Sequence, residues 1–258
     1  MLIARYQLGR EIHHGILEGD GLHRLAAPPY LSFERSGVRD ALADATLLAP
    51  VDRPRIFGVG LNYVLHIEES GAKTPTTPLI FMKPDTSVIG PGEAIVYPVE
   101  ASNVHFEAEL AVVIGRGGRR IAPERALDHV LGYTCANDVS ERVIQRAEMD
   151  QGALLVGKGF DTFCPLGPVI AVGLDPSDLA LGARVNGIER QRSSTSDLLF
   201  DVPRLVSYLS EAITLRPGDV IITGTPSGVG PIVPGDTVDI WVEGIGTLTN
   251  TVVAERPA

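Results

Sequence analysis

Only two cysteines occur in 258 residues, Cys135 and Cys164, in unrelated contexts with no CxxC spacing. A zinc site and a disulfide framework are both disfavoured, which leaves free core thiols. Positive charge is short as well. Lys and Arg number 22 against 32 Asp and Glu, a net charge of −10, so no nucleic-acid partner held by general electrostatics is expected. No segment approaches the apolar length of a membrane span, and Met1–Gln7 carries charge where a secretory leader needs an apolar run. The expectation is a cytoplasmic protein with no membrane partner. Aromatic residues are also few, at seven Phe, six Tyr and one Trp, whereas Gly reaches 28 and Pro 19. That balance predicts many short strands joined by tight turns, a mainly β fold with short helices.

What the chain does have is organised around His105-Phe106-Glu107-Ala108-Glu109 and the apolar run Leu110–Ile114 that follows. Strand alternation puts His105, Glu107 and Glu109 on one face. Glu-x-Glu alone is common on a solvated strand. Two carboxylates aimed at one point repel, however, and a cation between them is the physical remedy.

Taken in order, residues 1 to about 50 read as a small leading module of short strands, with a helix over Val38 to Leu48 ending at Pro50. Residues 51–258 form the main domain after the boundary Pro50-Val51-Asp52-Arg53-Pro54. His66 and Glu69, three apart, become neighbours if helical, so the carboxylate can orient the imidazole as a general base. Lys83 ends an apolar strand and reads as a solvent-facing charge. Asn137-Asp138 follows another strand, and Asp138 either caps a helix over Val139 to Met149 or supplies a third carboxylate. In the second case the donor set is all oxygen and suits Mg²⁺ or Mn²⁺. Arg142 and Gln145 share one face of that helix, where a guanidinium fork and an amide can hold a carboxylate and a carbonyl. Lys158 stands in an apolar run between Gly157 and Gly159, a costly place unless an anion meets it. Asn186-Gly187 signals a hairpin, and a helix is expected from Val202 to Leu209. In Thr223–Gly230, backbone N–H groups and the Thr225 hydroxyl can grip an anion or a carbonyl, but the Walker lysine is missing, which disfavours nucleotide binding.

The combination Asn62-Tyr63-x-x-His66-x-x-Glu69, Phe81-x-Lys83-Pro84, Glu107-x-Glu109, Asn137-Asp138, Gly157-Lys158-Gly159-Phe160-Asp161 and Thr223-Gly224-Thr225-Pro226-x-Gly228-Val229-Gly230 resembles the fumarylacetoacetate hydrolase family, in order and spacing, from about residue 53 to 254. The match is to its shorter bacterial-type, acylpyruvase-like members. The resemblance implies a mixed β-sandwich roll, a homodimer, and one Mg²⁺ or Mn²⁺ on Glu107, Glu109 and Asp138. It implies catalytic roles for His66 and Glu69, on a mobile lid, and for Lys158, with Arg142, Gln145 and Thr225 around the substrate. The substrate expected is a small 2-oxo or 2,4-dioxo acid whose enolate the metal stabilises. Hydrolysis of an acylpyruvate-type 2,4-dioxo acid is the leading expectation; decarboxylation of an oxaloacetate-type acid and isomerisation of a hydroxymuconate-type acid are the alternatives. A non-catalytic binding domain is disfavoured by the His66/Glu69 pair, since a mere binder has no need of an oriented base.

Overall fold

The computed structural model describes residues 1–256. Strands dominate, as the turn-rich composition predicts, and four short helices are set among them: α1 (Val64–Ser70), α2 (Arg142–Met149), α3 (Val156–Gly159) and α4 (Val202–Ala212). A twelve-stranded sheet packs against a five-stranded sheet, and a three-stranded sheet is formed by Ser140–Glu141, Val104–Phe106 and Gly230–Pro231. Among the described residues, no helix is long and apolar enough to cross a membrane.

The strand Ala108–Ile114 lies in the middle of the large sheet, antiparallel to Val130–Asn137 on one side and to Val220–Ile222 on the other. All seven of its residues are buried. Alternation divides them between two cores: Leu110, Val112 and Ile114 join the cluster that holds Leu181, Ile240 and Leu248 of the five-stranded sheet, while Ala111 and Val113 join Ile3, Ile56 and Ile222. A strand covered on both faces reads as a continuous apolar run, and this is the run seen after Glu109. Burying each Leu, Ile or Val there contributes about 1.5–3 kcal/mol, which makes it a rigid base for the carboxylates at its start.

The first strand, Leu2–Leu8, pairs with Cys164–Ala171, so the leading residues extend the large sheet. The helix expected over Val38 to Leu48 is not formed. Arg35–Ala41 is a strand paired with Gly21–Leu25, followed by a 3₁₀ turn at Leu42–Asp44 and a short strand, Thr46–Leu47. The spacing of Val38, Ala41, Leu42 and Ala45 suits a helix, but cross-strand pairing outweighs it and buries Asp40 against Tyr6 and Arg24. The hairpin at Asn186-Gly187 is present, joining Ala180–Val185 to Ile188–Ser194, with both turn residues at positive φ. The helix predicted from Val202 is α4, capped by Asp201, whose side chain accepts from Arg204 N. Both cysteines are free and buried.

Candidate active site

The chain breaks from regular strand at Glu107, between Val104–Phe106 and Ala108–Ile114. There it meets the end of Val130–Asn137: Asp138 N donates to Glu107 O at 3.0 Å, and Asn137 Oδ1 accepts from Glu107 N at 2.9 Å. Glu107, Glu109 and Asp138, all buried, each offer one oxygen, and the three oxygens lie within 4.8 Å of one another. The donors are all hard oxygens, and their spread is close to the roughly 4 Å span of a shell with ~2.1 Å metal–oxygen bonds. These residues fit a divalent cation.

Asp138 does not cap α2. Ser140–Glu141 instead pairs with Val104–His105, which delays the helix to Arg142, and Glu141 accepts from Ile144 N as the cap. Asp138 faces two lysines: Lys83 Nζ donates to its Oδ1 at 2.5 Å and Lys158 Nζ to its Oδ2 at 2.6 Å. Lys83 is therefore no solvent charge. It is 2% exposed and also donates to Val139 O at 3.1 Å. The pattern Phe81-x-Lys83, with Phe81 and Lys83 on the buried side of an edge strand, was the available sign of this.

Lys158 also donates to Glu107 Oε2 at 2.9 Å, and Arg142 Nη2 lies 2.6 Å from Glu107 Oε1, an ion pair rather than an aligned hydrogen bond. Burial raises the Glu107 pKa, but the charges of Lys158 and Arg142 outweigh it and hold the carboxyl well below its ordinary range. Glu109 differs. It accepts from Gly224 N at 2.6 Å and meets no cation among the described residues. Burial, reinforced by the charges of Asp138 and Glu107, pushes its pKa well up. For Lys158, burial favours the neutral amine, but the carboxylates of Asp138 and Glu107 prevail and raise its pKa.

Lys158 is delivered by α3, and Glu148 fixes that helix. Its carboxylate accepts from Val156 N at 2.7 Å and Gly157 N at 2.9 Å, tying α2 to α3. A Cβ at Gly157 would stand 2.5 Å from Gln145 N, so glycine is what lets the two helices approach. On α2, Arg142 Nη1 donates to Gln145 Oε1 at 2.9 Å, which leaves the Gln145 amide N–H groups for a ligand.

The rim is α1. His66 Nδ1 lies 3.1 Å from Glu69 Oε2, and Gly228 N donates to Glu69 at 3.1 Å. A carboxylate partner requires the proton on Nδ1, so in the neutral imidazole it is Nε2 that carries the lone pair. Gly224 and Gly228 thus spend their N–H groups on the protein's own carboxylates, where the sequence suggested an external anion. Gly224 sits at φ +96°, and a Cβ there would reach within 2.8 Å of Asn62 Cβ.

These residues enclose a cavity of about 150 Å³, lined by His66, all three carboxylates, Arg142, Gln145, Lys158 and Thr225, with Leu79, Phe81 and Leu154 as apolar wall. A second basin of about 780 Å³ shares His66, Arg142 and Gln145 with it as lining. His105 lines that basin, with Nε2 2.9 Å from Asn103 Oδ1; burial and the Arg142 charge push its pKa down to about 4. All nine residues singled out from the sequence are therefore brought together. Lys83, Glu148 and Gln191 were missed. Gln191 is the one buried residue of the strand Ile188–Ser194, a burial that alternation in an otherwise polar strand does not announce.

The family model for fumarylacetoacetate (FAA) hydrolase C-terminal domains matches residues 55–253, and one for Rv2993c-like N-terminal domains matches residues 1–50. A 5-carboxymethyl-2-hydroxymuconate delta-isomerase from Mycobacterium smegmatis superposes with a TM-score of 0.92 at 47% identity, covering 99% of this chain and 100% of that one. The mitochondrial oxaloacetate tautomerase fahd2 of Xenopus laevis is 43% identical over 222 residues, 82% of this chain and 69% of that protein. A maleylpyruvate hydrolase from Sphingobium sp. SYK-6, solved with manganese(II) and pyruvate, matches with a TM-score of 0.82 at 32% identity over 99% of this chain and 100% of the other. Isomerase, tautomerase and hydrolase thus share this framework, and with the sequence pattern, the fold and the family match in agreement, the chain belongs to the fumarylacetoacetate hydrolase family.

Proposed function

We propose that the protein is a Mg²⁺- or Mn²⁺-dependent enzyme that moves a proton at C3 of a small 2-oxo acid, interconverting its keto and enol or double-bond forms. The single observation that carries this reading is the cavity itself: Glu107, Glu109 and Asp138 at its floor, with the His66 and Glu69 pair at its rim. A divalent cation held by the three carboxylates supplies a Lewis acid that stabilises negative charge on the keto oxygen. Lys158, Arg142, Gln145 and Thr225 hold the carboxylate and carbonyl oxygens of the ligand. Nε2 of His66 takes the C3 proton and returns it either to the keto oxygen, giving the enol, or to the far carbon of the conjugated system, giving the shifted double bond, with Glu69 keeping the imidazole oriented and stabilising its charged form. No bond between heavy atoms is made or broken. The reading draws on relatives of 47% and 43% identity that are described as an isomerase and a tautomerase.

Hydrolysis of a 2,4-dioxo acid, the leading expectation from the sequence, stands as the second reading. It is favoured by the same His66 and Glu69 pair, which can activate water for attack on a distal carbonyl, and by the maleylpyruvate hydrolase likeness. We further propose a cytoplasmic homodimer with residues 1–50 as leading module and 51–258 as catalytic domain. The test is to assay the Mg²⁺-loaded protein side by side on enol oxaloacetate, a hydroxymuconate-type dienoate and an acylpyruvate. Enol-to-keto conversion or a double-bond shift without acylpyruvate cleavage supports proton transfer. Release of pyruvate from the acylpyruvate as the fastest reaction establishes the hydrolase instead.

A further inference from the structure

Gln191 belongs to the five-stranded sheet, away from the strands and helices that carry the carboxylates and the lysines, yet its amide reaches the cavity wall. Its Oε1 accepts from Ala108 N at 2.9 Å, and its Nε2 donates to Pro226 O and to Thr225 Oγ1, both at 2.8 Å. The orientation of this amide is fixed by two partners that have no choice of role. Ala108 N–H can only donate, so it must face the oxygen; Pro226 C=O can only accept, so it must face the nitrogen. One amide hydrogen goes to Pro226, and the other is left for Thr225. The Thr225 oxygen is thereby an acceptor towards Gln191, and its own hydrogen points elsewhere. Thr225 is 3% exposed and lines the cavity beside Lys158, Arg142 and the three carboxylates. No group among the described residues takes its proton in a hydrogen bond.

We propose that Gln191 is a positioning residue that sets the polarity of the site: by donating to Thr225 it commits the Thr225 hydroxyl to donate into the cavity, and so selects a ligand that presents a bare acceptor, a carboxylate or carbonyl oxygen, at that point. The same side chain holds Ala108, the residue between Glu107 and Glu109, so one buried amide ties the acceptor-reading hydroxyl to the segment that bears the carboxylates. This rests on the 2-oxo acid reading given above and adds to it the residue that orients one of its contacts. A neutral amide is well suited to the place. It adds no charge to a cavity already crowded with ionised groups, whereas a glutamate at the same position would accept from Thr225 and reverse the hydroxyl.

The probe is oxalate, a two-carboxylate mimic of a 2-oxo acid enolate, titrated calorimetrically into the Mg²⁺-loaded protein and into Gln191→Met, Gln191→Glu, Thr225→Val, Thr225→Ser and the double variant Gln191→Met/Thr225→Val. Mg²⁺ affinity is measured on each, and thermal unfolding reports folding. The expected result is oxalate binding about tenfold weaker in Gln191→Met and in Thr225→Val, the loss of one hydrogen bond to a charged acceptor. Thr225→Ser should bind as the unmodified protein does, Gln191→Glu should be weaker than Gln191→Met, and Mg²⁺ affinity should stay within about twofold in Thr225→Val. The double variant should be no worse than either single one, because both remove the same contact. Additive losses, or oxalate affinity unchanged in folded Gln191→Met, would overturn the assignment of Gln191 while leaving the 2-oxo acid reading intact. If Gln191→Met does not fold, unchanged oxalate binding by Thr225→Val overturns it. If the unmodified Mg²⁺-loaded protein binds no oxalate, the site reading and the Gln191 proposal fall together.

Discussion

Lys158 Nζ stands 2.6 Å from Asp138 Oδ2, with both side chains closed to solvent. With Lys83 on the other Asp138 oxygen and Arg142 on Glu107, two of the three carboxylates are neutralised by the protein's own cations. Glu109 alone of the three accepts from a backbone N–H and makes no ion pair among the described residues. The site is therefore folded and charge-matched in advance, with one carboxylate left wanting a positive partner.

Glu109→Gln should weaken Mg²⁺ binding by at least about tenfold, because a ligand contact is lost, yet leave the metal-free protein no less stable. A buried carboxylate without a cation is a liability, and a neutral amide can still accept from Gly224 N. Calorimetric titration and urea unfolding of the stripped protein check both halves; undiminished affinity would show that Glu109 is not a ligand.

Mg²⁺ affinity should rise with pH. In the metal-free protein the Glu109 pKa is raised well above its ordinary 4.5, so a proton must leave when metal binds. The sign for stability follows from the same shift. The unfolded chain ionises Glu109 near 4.5 while the folded one does not, so this group's contribution is whole below that pH and is lost as pH climbs through the raised value. Titrations in buffers of different ionisation enthalpy would reveal the released proton, and a pH-independent affinity between pH 5 and about 8 would contradict it.

Lys83→Met should destabilise the fold by about 3 kcal/mol, the low end for breaking a buried ion pair, since Asp138 keeps Lys158. Denaturant unfolding measures this. A change under about 0.5 kcal/mol, the usual range for surface substitutions, would mean the pair is immaterial to stability.

His66→Ala should lower kcat by about 10²- to 10⁴-fold with Mg²⁺ binding unchanged, as expected for loss of a general base that is not a ligand. Glu69→Gln should cost less, because an amide oxygen can still accept from Gly228 N and from the imidazole while the stabilising charge is lost. Equal losses in the two variants would show instead that the full charge of Glu69 is needed.

Much of this was legible in the chain. Alternation placed Glu107 and Glu109 together, the three-residue spacing placed Glu69 by His66, and an apolar setting marked Lys158. The failures have a common cause. Val38 to Leu48 has helical spacing, but a pairing with Gly21–Leu25 decided its form. Val139 to Met149 reads as one helix from a capping aspartate, but Ser140 and Glu141 are taken by Val104 and His105 across the sheet. Lys83 reads as a strand-end charge until Asp138, just past the strand Val130–Asn137, is brought beside it, 55 residues away in sequence. Gln191 lies 83 residues from Ala108. Local pattern encodes each element's faces; partners from distant segments decide which polar groups those faces meet.

Loaded with a divalent cation, the carboxylate cluster is expected to promote proton transfer at C3 of a 2-oxo acid. The most direct test is the initial rate at which enol oxaloacetate becomes the keto form, followed by loss of enol absorbance, in protein stripped with EDTA, in the same protein restored with Mg²⁺, and in Glu109→Gln given the same Mg²⁺. The rate should collapse to the uncatalysed background on stripping, return with Mg²⁺, and fail to return in Glu109→Gln. Full rate in the stripped protein, or full recovery in Glu109→Gln, would show that a cation on this cluster is not what promotes the proton transfer.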